Sequence, residues 1–176
     1  MENNKLKEVR SLVLKLMNEH GLIDKGWTFY GFTNSKKSAG VCSYTRNTLP
    51  NVLPQNRFHS GKIKISKFYA LQMNEEEIKN VILHEIAHAL DVMERGYSKH
   101  DLRWKVIAKR IGCNAERTFE SKKFNIKYKY DGYCPTCDEV VGGWYRKPKH
   151  IHKENAYICT KCKSHIKIID NSKTSV

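Results

Sequence analysis

The sequence predicts an α+β chain in which a small sheet packs on helices and a small four-cysteine ribbon follows. Three observations carry this expectation. Residues 4–20 and the stretch from Asn74 to Gly96 repeat apolar residues at helical spacing. Three short runs, 27–32, 39–45 and 61–67, have strand texture. From residue 126 onward, short strand-like pieces surround two Cys-x-x-Cys pairs. The expected domains are therefore 1–125 and 126–176, one of ordinary size and one appendage.

Taken in order, the first helix places Leu6, Val9, Val13, Leu16 and Met17 on one face, with Gly21 as its stop. "WTFYGF", "AGVCSYT" and "GKIKISK" follow as strands, and Ile63 and Ile65 alternate with lysines as in a half-buried strand. The piece "RNTLPNVLPQNRFHS" reads as a long loop. A second helix starts at Asn74, where Asn74 and Glu77 form a capping-box pattern and three glutamates suit the helix dipole. Ile78, Val81, Ile82, Ile86 and Ala89 supply its apolar face, and Gly96 permits a turn. A further helix is expected from about Ser98 to Ile111, then a polar connector over 113–125.

Charge narrows the partners. The 176 residues carry 32 Lys+Arg against 18 Asp+Glu, a net +14. That exceeds the ~2–8 that solubility asks of a small domain, so a polyanion, most often nucleic acid, is the expected partner. The longest apolar runs are only a few residues, which argues against a secretory or membrane-spanning segment. The expected setting is intracellular and reducing, cytoplasm or nucleus, where six cysteines serve as metal ligands or free thiols.

The second helix carries "HEIAH". His84 and His88, four apart, project from one face and can reach one ion. Glu85 lies about 100° around the helix, so it faces a water held by that ion rather than the ion itself. Chance supplies roughly 0.02 such motifs in a chain of this composition. Two ligands and a general base are the parts of a zinc hydrolase, which needs a third protein ligand and an open position. His100, just past Gly96, leads for that place; Glu94, Asp101 and Glu116 are the acidic alternatives. Asp91 and Glu94 stand where the longer metzincin pattern needs glycine and histidine, so that class is excluded. Asp91 reads either as an acceptor behind a ligating imidazole or as a solvated helix residue, and Tyr97 is near enough to be noted for the oxyanion.

Cys134 and Cys137, then Cys159 and Cys162, give two Cys-x-x-Cys units separated by 21 residues. Four thiolates close a zinc coordination sphere, so this ion is expected to be structural and to supply folding energy to a small module. His150, His152 and His165 could substitute for a thiolate, but four cysteines suffice. Between the pairs, Trp144 and Tyr145 with Arg146, Lys147, Lys149 and Lys153 combine stacking rings with phosphate-reading charge. Cys42 and Cys113 stand alone and read as small buried residues.

"GWTFYGF", "AGVC", "GKIKIS", "HEIAHAL", "HDLRW" and the paired cysteines together resemble the SprT-like metalloproteases, whose eukaryotic members include the Spartan protease of DNA–protein crosslink repair. The resemblance covers most of the chain. It implies a zincin-like metalloprotease core over 1–125 and a zinc ribbon over 126–176. It implies catalytic zinc on His84, His88 and His100, Glu85 as the catalytic residue, and a structural zinc on the four cysteines. It also implies DNA, single- or double-stranded, as a partner and DNA-bound or DNA-crosslinked proteins as substrates. The family's third histidine is often flanked by glycines, whereas here it stands in "SKHDL". The rival reading is a non-catalytic, nucleic-acid-binding zinc protein of transcription or repair. Glu85 favours the enzyme, since a structural ion needs no base beside it.

Overall fold

A computed structural model describes residues 2–47, 51, 53, 56, 58–116, 124, 126–151, 153 and 155–173. The chain divides into two compact units, Met1–Phe124 and Asn125–Val176. The architecture is mixed α+β, with a small sheet in each unit. Among the described residues, no helix is long and apolar enough to cross a membrane.

The first unit runs α1 (Glu2–Glu19), β1 (Trp27–Thr33), β2 (Gly40–Arg46), β3 (Phe58–Ser66), α2 (Lys67–Ala70), α3 (Glu75–Arg95) and α4 (Leu102–Arg110). Its sheet order is β1-β3-β2, with β1 parallel and β2 antiparallel to the central β3. Strand alternation buries Ile63 and Ile65 completely and turns Lys62 and Lys64 outward. The inner face joins α1, whose Val9, Val13, Leu16 and Met17 are buried, and α3, whose Ile82 and Ile86 are fully buried. β2 is an edge strand, and that edge borders the site.

Several boundaries differ from the sequence expectation. β2 and β3 extend into the expected loop: Arg46 pairs with Phe58, and the Thr45 and Ser60 hydroxyls meet at 2.8 Å. The Phe58 ring stacks on Trp27 at 4.8 Å, which gives that end of β3 an apolar anchor. Most of the rest of that loop lies outside the described residues. Lys67 belongs to α2 rather than to the strand, because the Ser66 hydroxyl accepts the Tyr69 N–H and caps a helical turn. The helix expected from Ser98 begins at Leu102, where Asp101 accepts the Trp104 N–H and caps it. The expected polar connector starts as packed chain: Cys113 and Ala115 are buried. Residues 117–123 and 125 lie outside the described residues.

The second unit is an antiparallel sheet, β5-β4-β6, from β4 (Tyr130–Cys134), β5 (Glu139–Trp144) and β6 (Lys167–Asp170). Cys134 ends β4, and Cys159 follows the isolated Ile158–His165 bridge.

Candidate metal centre

The site is built from the start of α3. The Asn74 side chain accepts the Glu77 N–H at 2.8 Å, and the Glu77 carboxylate accepts the Asn74 N–H at 3.0 Å. This capping box sets the helix that brings His84, Glu85 and His88 forward. Gly96 then ends α3 at φ 78, a left-handed conformation that glycine adopts without a Cβ penalty. The chain doubles back and is clamped. Arg95 donates two hydrogen bonds to Asp101, at 2.7 and 3.0 Å, and one to Asp91 at 2.6 Å. Asp101 caps α4 at the same time, so the residue before it, His100, is held beside α3.

The three imidazoles converge. Their Nε2 atoms are 3.3 Å (His84–His88), 3.0 Å (His88–His100) and 2.9 Å (His84–His100) apart. Tetrahedral zinc with nitrogens at its usual bond length separates ligand pairs by about 3.3 Å, so the trio fits such an ion. Burial, reinforced by the neighbouring histidines, holds His84 down to about 4 and His88 down to about 3. Both rings are thus neutral near pH 7, the ligating form. His88 Nδ1 is 2.7 Å from the Ser98 hydroxyl, and the His84 ring hydrogen-bonds the Glu116 main chain. These outer contacts aim the inner nitrogens. The fully buried Trp104 packs on all three rings, with centroids 4.6–5.1 Å away. Among the described residues, no carboxylate joins the cluster. Asp101 is held by Arg95, and Glu94 pairs with Arg103 and Arg110.

Glu85 lines the same cleft as this trio and is 7% exposed. Burial pushes its carboxyl up to about 8, partly opposed by a hydrogen bond from the Cys42 main chain. Its neighbour Gly40 has no spare room: a Cβ there would lie 2.6 Å from Glu85 Oε1 and 2.7 Å from its Cγ. Gly40→Ala is therefore expected to displace the carboxylate and to cost about 1–3 kcal/mol in chemical denaturation, as overpacking does. A cleft of about 600 Å³ opens over these groups, lined among others by Gly40, Cys42, Tyr44, Asn80 and Asn114. Asn80, one turn before His84, accepts the Asn114 N–H at 2.9 Å and so ties the wall after α4 to α3.

Two sequence readings need correction. Asp91 is neither solvated nor behind an imidazole; it is fully buried, and its observed bond is to Arg95. Tyr97 does not line the cleft; its ring lies on the Arg95 guanidinium at 4.5 Å. Cys113 is buried as expected, whereas Cys42 is half-buried and lines the cleft. Sequence reasoning missed Gly40, Ser98 and the Arg95 clamp. A glycine opening a strand is a signal of close backbone approach and could have marked Gly40.

In the second unit the four sulfurs of Cys134, Cys137, Cys159 and Cys162 lie within 4.8 Å of one another. Cys134–Cys162 is 3.5 Å and Cys137–Cys159 is 3.9 Å, bracketing the ~3.8 Å edge of a zinc tetrathiolate. Hydrogen bonds from Ser164 hold the Cys162 thiol below the ordinary range. His150 and His165 stand outside this cluster, and His152 lies outside the described residues. Trp144 packs on Tyr157 at 5.3 Å and Tyr145 on Tyr128 at 4.9 Å, so both rings are half-buried. Arg146, Lys147, Lys149 and Lys153 are exposed.

Comparison with known proteins adds to this geometry. The SprT-like family model matches residues 15–129. A protein named "Protein SprT-like" from Bacillus subtilis (strain 168) is 28% identical over 111 residues, covering 62% of this chain and 71% of that protein. Its namesake from Bacillus cereus (strain B4264) is 30% identical over 119 residues, covering 66% of this chain and 72% of that protein. No solved structure gives a match.

Proposed function

Because the chain belongs to the SprT-like family, we propose that it is a zinc-dependent endopeptidase acting on proteins bound or crosslinked to DNA. The observation that carries the proposal is the convergence of three imidazoles beside a buried carboxyl group at the floor of an open cleft. His84, His88 and His100 would hold the ion, and the four cysteines would hold a second, structural zinc. A zinc ion in the first site supplies Lewis acidity and lowers the pKa of water.

The chain's own residues do the rest. Among the described residues β2 is an edge strand, and an extended peptide adds beside it as a further strand next to Cys42, whose main chain bonds Glu85. That places the scissile carbonyl over the imidazoles. Glu85 accepts the proton of the attacking water on its carboxylate and returns it to the leaving nitrogen. Burial raises this carboxyl above the ordinary carboxylate range, which favours its taking up a proton. Burial of Trp104 beneath the rings keeps the floor dry. The net charge of +14 and the exposed Arg146, Lys147 and Lys149 support nucleic acid as the partner that delivers the substrate, with Trp144 and Tyr145 supporting the segment.

The test is a cleavage assay on a basic DNA-binding protein, with and without single-stranded DNA. Cleavage that DNA promotes is expected; intact substrate under every condition overturns the proposal. Metal analysis gives a separate reading. The parent should carry two zinc per chain and His100→Ala one, with the four-cysteine ion retained. Two zinc in that variant would remove His100 from the ligand set.

A further inference from the structure

The outer face of the first unit's sheet carries a cluster that the cleavage reading does not use. Tyr30 lies in β1 where the register with β3 shifts, between the pairs Phe29–Ile63 and Gly31–Lys64. It is the extra residue of a β-bulge, a device that re-aims a side chain out of the ladder. Gly31 follows at φ 107, a backbone conformation that suits glycine and lets the bulge form. The bulge stands the Tyr30 ring over β3, where Lys62 Nζ is 4.6 Å and Lys64 Nζ 4.7 Å from its centroid. Tyr30 is nevertheless 62% exposed.

The neighbours on this face are neutral. Lys62 pairs in register with Ser43, Lys64 with Val41, and Ser60 with Thr45; Thr28 lies on the β1 side. Among the described residues, neither lysine makes an ion pair with a carboxylate. Two ammonium groups that rise from alternate residues of one strand, about 7 Å apart along it, repel each other. The ring's π-face offsets part of that repulsion, and an anion between them would offset more. An exposed aromatic with two unpaired cations beside it is the combination that holds a base by stacking and its phosphate by charge. An acidic peptide would satisfy the lysines but would leave the ring without a role.

We propose that Tyr30, Lys62 and Lys64 form a single-stranded nucleic-acid contact on the outer face of the sheet. This contact rests on the nucleic-acid partner of the reading above, but it is on the first unit and independent of the metal ligands.

The experiment measures binding of a fluorescent single-stranded oligonucleotide to the zinc-loaded 176-residue chain over a range of salt. Cleavage is not part of the readout, so its loss or persistence leaves this test unaffected. Tyr30→Ala is expected to weaken binding at least about fivefold, whereas Tyr30→Phe, which keeps the ring, stays near the parent. The Lys62→Gln/Lys64→Gln pair should reduce the log–log salt slope by about 1.4, two phosphate contacts' worth on a single strand. All three positions face solvent, and an unchanged unfolding midpoint confirms that the variants are folded. Trp144→Ala, run in parallel, reports the second unit. Parental affinity in Tyr30→Ala, an unchanged slope in the lysine pair, or polyglutamate competing as well as the oligonucleotide would each overturn the proposal.

Discussion

Glu85→Gln is expected to lower cleavage of a DNA-bound test protein by about 10²–10⁴-fold while leaving two zinc per chain, because it removes a proton acceptor and nothing else. The amide keeps the size of the carboxylate in a place where size matters, since Gly40 leaves no slack around it. It can still accept the Cys42 main-chain hydrogen bond through its carbonyl. It cannot hold a proton in transit. The ligands are on a different part of the helix surface, with their outer nitrogens engaged by Ser98 and by the Glu116 main chain, so metal content should not move. Zinc analysis and cleavage rate, measured on the same preparation, separate the outcomes. Undiminished cleavage in this variant removes Glu85 from catalysis and with it the endopeptidase reading. Loss of both zinc and cleavage would mean that Glu85 builds the site rather than works in it.

The parts of this site that were legible in the sequence are those set by local periodicity. His84 and His88 share a face because a helix repeats every 3.6 residues, and Asn74 with Glu77 marks where that helix starts. The cysteine pairs are legible for a similar reason, since two turns of fixed spacing point sulfurs at one place. What was not legible depends on tertiary meetings. The role of Gly40 arises only because β2 lies against α3, and no spacing rule links positions 40 and 85. Asp91 looked like a solvated or ligand-backing residue because its helical position is compatible with either; its burial and its bond to Arg95 depend on how the chain folds back after Gly96. The strand ends at Arg46 and Phe58 were hidden by loop-forming neighbours, whereas Trp27 supplies the contact that extends β3.

That fold-back makes Arg95 the position of largest expected effect on stability. Arg95→Ala should cost about 3–5 kcal/mol in denaturant unfolding at neutral pH, the range for removing one partner of a buried pair. Asp91 is fully buried and Arg95 nearly so, and Arg95 provides the hydrogen bond observed for the Asp91 carboxylate. Without it a carboxylate stays in the core with its charge uncompensated. Asp91→Ala in the same background should recover part of the loss, because it removes the stranded charge; a double-mutant cycle measures the coupling. Additive costs would show that the two side chains act independently. The second arm of the clamp predicts a pH signature. Arg95 holds the Asp101 carboxyl down to about 2, so this contact favours the fold above the ordinary value near 3.8 and is lost as pH falls from there through 2. Arg95→Ala should flatten that acid limb. The same variant should also bind zinc less tightly at the histidine cluster, because His100 is carried on the segment that Arg95 ties to α3. The four-cysteine ion should be unaffected, and competition with a chelator distinguishes the two. A variant that loses stability but keeps parental zinc affinity at both sites would show that His100 is placed by Trp104 and the α4 cap without help from the clamp.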